Sequence, residues 1–102
     1  MFTERLDFFA PQLGVQYSAL TLSSAGTRWG SCTIGGSIRL NWRLVHFPLA
    51  LIDYVVAHEL AHLREMNHSA RFWATVESVY PDYDGAKAAL RARSQELPVL
   101  FS

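Results

Sequence analysis

The stretch His58-Glu59-Leu60-Ala61-His62-Leu63-Arg64-Glu65-Met66-Asn67-His68 concentrates most of the reactive side chains of this 102-residue chain. If it is helical at its start, His58 and His62 stand one turn apart on the same face, so both imidazoles point at one ion. Glu59 lies one residue round, outside such a chelate yet within reach of a water beside the ion. A catalytic zinc takes three protein ligands and keeps a fourth position open. His68 is the natural third ligand, because the step from His62 lets the chain leave the helix and turn back.

The full pattern is His-Glu-x-x-His-x5-His. Metzincins share the ligand spacing but place glycine where this chain has Glu65, so the turn falls to Asn67, a residue that tolerates positive φ. Two histidines at i and i+4 also occur by coincidence on solvated helices. Here the preceding Leu51-Ile52-Asp53-Tyr54-Val55-Val56-Ala57 is almost wholly apolar, so the helix is expected to be largely buried. Burying two histidines and a glutamate without a metal or other partners is costly, which favours a metal site. Glu77, on the next predicted helix, is the alternative third ligand.

Half of the residues are hydrophobic and the acidic and basic side chains balance at 9 each, which suits a single domain over residues 1–102. A neutral chain with no run of like charges lacks the electrostatic footprint of a nucleic-acid or anionic-membrane binder. The single cysteine, Cys32, forms no internal disulfide, and no secretory or membrane-spanning segment is evident, so a cytoplasmic setting is expected. A domain of this size buries roughly two thirds of its unfolded surface, so one bound zinc per chain would add appreciably to its stability.

In chain order, Thr3 is placed to cap a helix with Leu6, Phe9, Ala10 and Leu13 on one face. Pro11 predicts a break or kink after Ala10, and Gly14 ends the helix. Val15 to Ser23 reads as a strand. Gly35-Gly36 is a hairpin turn signal, and Ser37 to Trp42 alternates Ile38, Leu40 and Trp42 against polar residues, so an antiparallel hairpin is predicted. Gly30 and its small neighbours suit close backbone approach or a bulge. Pro48 starts the long helix, which should run to about Glu65 or Met66. Asn67 or Ser69 caps the next helix, Ala70 to Tyr80, which Pro81 stops; Asp84 caps a last helix to about Glu96, and the tail from Pro98 is expected to be poorly ordered.

Zinc held by three neutral imidazoles brings the pKa of a water in its fourth position toward ~7. Glu59 can take that proton and pass it to a leaving amine, which is amide hydrolysis without a covalent intermediate. Candidates to steady the developing oxyanion or touch substrate are Arg28, Asn41, His46, Tyr80 and Tyr83. Asp53 and Glu77 are candidate acceptors for metal-bound imidazoles. An extended peptide could add to an exposed edge along Ser37 to Trp42, and Cys32 could approach the metal, although a lone cysteine is more often a small hydrophobe.

Several motifs in order resemble one family: Thr27-Arg28-Trp29-Gly30-Ser31-Cys32, Ile38-Arg39-Leu40-Asn41-Trp42-Arg43-Leu44, Ile52 to Leu63, Asn67-His68-Ser69, Phe72-Trp73 and Pro81-Asp82-Tyr83. Together they are similar to the YgjP-like metallopeptidase domain, related to the WLM and SprT-like zinc proteases. The resemblance runs from about Val15 to Tyr83. It implies a minimal zincin-like α+β fold, with a small antiparallel sheet packed on an active-site helix and a following helix. It also implies zinc on the positions of His58, His62 and His68, and a base at Glu59.

The expected activity is therefore zinc-dependent hydrolysis of peptide bonds in peptides or unfolded protein segments. Two other readings compete. A zinc-stabilised module that binds peptide without cleaving it would need the metal but not Glu59. A zinc endoribonuclease with the same histidine spacing would lack the carboxylate of Glu59 and would need a basic surface.

Overall fold

A computed structural model describes residues 2–24 and 28–93. The chain runs α1 (Phe2–Leu13), β1 (Ala19–Ser23), β2 (Gly30–Cys32), β3 (Ser37–Asn41), a 3-10 turn (Trp42–His46), α2 (Leu49–Ala61), α3 (Ala70–Val79) and α4 (Tyr83–Arg93). The expected α+β class is what forms. The predicted end of the last helix at Glu96 and the tail from Pro98 lie outside the described residues.

The organising element is α2. From Leu51 to Ala61 every side chain except Asp53 is buried, so the helix is covered on nearly all sides, as its apolar sequence requires. On one flank α1 packs its stripe Leu6, Phe9, Ala10 and Leu13 against it. The two helices are also clamped by Arg5, whose Nε and Nη2 donate to Asp53 Oδ1 and Oδ2 at 2.7 and 2.9 Å. The sheet, α3 and α4 complete the cover.

Pro11 does not break α1, which continues to Leu13. Pro11 falls in the last turn, and the burial of Leu13 beyond it outweighs one lost hydrogen bond. Gly14 then ends the helix at φ +68°, with Gly14 N–H donating to Pro11 O and Val15 N–H to Ala10 O at 3.1 and 3.0 Å. These two bonds satisfy carbonyls that the helix end would leave orphaned.

The sheet is mixed rather than wholly antiparallel, in the order β1-β3-β2. The hairpin is antiparallel as predicted, pairing Gly30 with Leu40 and Cys32 with Ile38. β1, shorter than the predicted Val15 to Ser23, pairs parallel with β3, from Ala19 opposite Ser37 to Ser23 opposite Asn41. The physical reason lies in β3, whose Ile38 and Leu40 are fully buried and need a strand on both sides. The alternation stops one residue earlier than predicted. Trp42 opens the 3-10 turn and is exposed, because Asn41 Oδ1 accepts from Arg43 N–H at 3.0 Å and caps the turn.

Opposite residues in a ladder share a face. Gly30, Cys32, Leu20, Ile38 and Leu40 therefore look toward the helices, while Ser31, Arg39, Thr21, Ser23 and Asn41 lie on the outer face. Since β3 is central, the predicted peptide-binding edge along Ser37 to Trp42 does not exist. The edge beside α2 belongs to β2, which has no second neighbour among the described residues.

Candidate metal centre

Helix α2 ends at Ala61, about a turn earlier than predicted, and His62 caps it. The turn that follows uses tightened bonds: His62 N–H donates to Glu59 O, Leu63 N–H to Leu60 O and Arg64 N–H to Ala61 O. No described residue other than glycine has a positive φ, so Asn67 does not reverse the chain as expected. The short-range bonds do so instead. Ser69 then starts α3, its Oγ accepting from Phe72 N–H at 3.3 Å, and fixes the turn that carries His68.

These elements bring His58, His62 and His68 together, with one ligand atom from each lying within 4.8 Å of the others. The Nε2 atoms of His58 and His68 are 3.3 Å apart. On His62, Nδ1 lies 3.1 Å from the carbonyl of Glu65. A carbonyl only accepts, so Nδ1 carries the hydrogen and Nε2 is left as a lone-pair donor. That Nε2 is buried and has no hydrogen-bond partner among the described residues. α3 holds the rings in place, with Phe72 stacked on His62 at 4.5 Å and Trp73 on His68 at 6.1 Å.

Burial holds His58 well below the ordinary imidazole range, reinforced by His62, His68 and Lys87. Burial also lowers His62 and His68. All three are thereby biased to the neutral form, which is the form that binds metal. Convergent neutral imidazoles and a buried, unpartnered Nε2 with its lone pair free fit one divalent ion.

Glu59 is fully buried, and neither carboxylate oxygen has a partner among the described residues. Burial pushes its carboxyl up to about 8, with Arg28 opposing. Its other boundary is β2. A Cβ on Gly30 would lie 3.0 Å from Glu59 Cγ and from Oε2. Only glycine lets the strand approach this closely, as the small residues around Gly30 suggested.

The remaining candidates separate. Asp53 is no acceptor for a histidine, being engaged by Arg5 on the far flank of α2. Glu77 is exposed on α3 and stands outside the histidine group. Tyr80 donates to Ala50 O at 2.9 Å and so ties α3 to α2. His46 sits edge-on to Trp42 in the 3-10 turn. Asn41 caps that turn, and its Nδ2 donates to Arg28 O at 3.2 Å. Tyr83 stacks on Trp73 at 5.1 Å, one ring removed from His68. Cys32 is half-buried on β2 outside the histidine group, its thiol pushed up to about 12 by burial and then by Glu59.

The sequence reading missed Lys87. It lines a cavity of about 310 Å³ with His58, His68 and Trp73, its Nζ 4.4 Å from the Trp73 ring centre. Nothing in the charged pattern of α4 singled it out. The backbone carbonyl of Glu65 carries no sequence signal at all.

An α+β frame with three convergent imidazoles, two of them at the end of a buried helix that also carries a carboxyl, defines a protein of the metallopeptidase class with a histidine group that could hold a metal ion. The chain belongs to the YgjP-like metallopeptidase family, whose domain model matches residues 1–93. The structure is similar to the metallopeptidase zymogen abylysin of Pyrococcus abyssi, at a TM-score of 0.86 and 24% identity, covering 97% of this chain and 100% of that one. It is also similar to the zymogen jannalysin of Methanocaldococcus jannaschii, at 0.78 and 18%, covering 91% and 96%. A search of curated proteins finds no match. No described helix is long and apolar enough to cross a membrane.

Proposed function

We propose that this protein is a zinc-dependent peptidase that uses His58, His62 and His68 as metal ligands and Glu59 as general base. The observation that carries this reading is the pairing of the histidine cluster with a buried, unpartnered carboxyl one residue along the same helix. When bound, the ion supplies Lewis acidity toward a substrate carbonyl and makes a nearby water more acidic.

The chain's own residues do the rest. Glu59 accepts the proton of the attacking water on a carboxylate oxygen and hands it to the departing amine. Its raised pKa suits a group that must both take and return a proton near neutrality. The unpaired side of β2, with Gly30 against Glu59, offers an extended peptide main-chain partners beside the base. Lys87, at the mouth of the histidine cavity, is positioned to attract a carbonyl oxygen as it gains negative charge.

Glu59→Gln keeps the shape and removes the base. We expect one equivalent of zinc by elemental mass spectrometry in wild type and variant alike, with kcat on a fluorogenic peptide lowered about 10²–10⁴-fold. Undiminished hydrolysis by the variant would sink the mechanism. Zinc without hydrolysis in either protein would favour a peptide-binding module.

A further inference from the structure

On the outer face of the sheet, Ser23, Arg28, Trp29, Gly30, Ser31, Arg39 and Asn41 enclose a cavity of about 210 Å³. Two of its lining residues are arginines. Neither Arg28 nor Arg39 has an ion-pair partner among the described residues, whereas Arg5, the one arginine that does, is engaged by Asp53. No carboxylate lines this cavity. In a chain of zero formal net charge, two arginines without an ion-pair partner among the described residues, set at one hollow beside Ser31, are a local anion site rather than a share of a general basic surface.

The cavity also adjoins the proposed catalytic centre. Gly30 is common to both, since it lines the hollow and its Cα abuts the Glu59 carboxyl. A peptide paired along the open side of β2 would turn alternate side chains to the face that bears Ser31 and Arg39. From that peptide to β3 is two strand spacings, about 10 Å, within the combined reach of a glutamate and an arginine.

We infer that this hollow is a specificity subsite that takes a carboxylate of the substrate, so that the enzyme prefers peptides with an acidic residue close to the cleaved bond. The inference rests on the peptidase reading for its link to cleavage, but the binding of an acidic peptide stands apart from it.

The test uses fluorogenic peptides in which Glu, Gln or Lys is placed in turn at three positions on each side of the cleaved bond. The zinc-loaded wild type, Arg39→Glu, Arg39→Lys and Arg28→Gln are compared on this set. Binding of the same peptides to Glu59→Gln is followed by fluorescence anisotropy at low and high salt. The expected result is about tenfold higher kcat/KM for Glu than for Gln at one position. That preference should survive in part in Arg39→Lys and invert toward Lys in Arg39→Glu, which shows that the exposed site still folds and reads charge. Cleavage with no charge preference at any position would overturn the subsite and leave the peptidase. Selective, salt-sensitive binding of the acidic peptide without any cleavage would uphold the subsite and overturn the peptidase. Tight binding of inorganic phosphate, with no discrimination between Glu and Gln peptides, would assign the hollow to a free anion and overturn the proposal.

Discussion

Gly30 and Glu59 form a close contact between the sheet and α2. A methyl at position 30 must displace the Glu59 side chain, since the added carbon would sit 3.0 Å from its Cγ and Oε2. Gly30→Ala is therefore expected to lower kcat by about tenfold or more through misplacement of the base, with a stability loss of only about 1–3 kcal/mol. Steady-state kinetics beside urea melts would show it; an unchanged kcat would mean that Glu59 has room to spare. Glu59 also makes the metal-free protein sensitive to alkali. Its folded carboxyl stands at about 8 against an ordinary value of 4.5. Between those values the unfolded chain sheds a proton that the folded one keeps, so stability falls as pH rises and is flat again above about 8. Below about 6.5 the lowered imidazoles act the other way, because the unfolded chain takes up protons that the folded one refuses. The clean window is from about pH 6.5 to about 8, where the chelated protein should lose about 2 kcal/mol and chelated Glu59→Gln should not. Urea titrations across that window decide the matter. His58, Glu59 and His62 were legible in the sequence because helical spacing is local and fixes which side chains share a face. Lys87 and the Glu65 carbonyl were not, because the one comes from a helix beyond the motif and the other is backbone.

Ser69 is a small part of α3 with a large position, because the cap it provides sets the end of the turn that delivers His68. Ser69→Ala should cost about 1 kcal/mol of stability and weaken zinc binding by about tenfold, measured by competition with a chromogenic chelator. If affinity held while stability dropped, the turn would be fixed by the stacking of Phe72 and Trp73 rather than by the cap. Helix positions read well from the sequence, since α1 and α3 each carry an apolar face that shows its period and α2 is an apolar run too long for a strand. Boundaries read less well. The early end of α2 and the passage of α1 through Pro11 depend on which carbonyls find partners after the chain has folded back. The parallel pairing of β1 was not visible either, because strand alternation says which face is buried but not which neighbour lies alongside.

Taken together, the histidines join α2 to the turn before α3, so a bound ion fastens two parts of the core that otherwise meet through packing. Chelation of the zinc-loaded protein should therefore lower its melting temperature by roughly 15 °C or more, the shift expected for metal held at about a thousand times its Kd. Calorimetry with and without chelator is the check, and a shift of a degree or two would deny the metal any bracing role. The sequence placed the family correctly because its motifs, spread from Thr27 to Tyr83, follow one another in order. What the motifs did not reveal was that the open strand beside the base would be β2, at the end of the sheet, with only Gly30, Ser31 and Cys32 to offer. An edge this short presents too few main-chain groups to hold a second copy of the sheet. On this side the molecule thus keeps an opening for a passing chain that is poorly suited to seeding fibrils: self-association at β2 would have to form along three residues, one of them a glycine already pressed against a neighbouring helix.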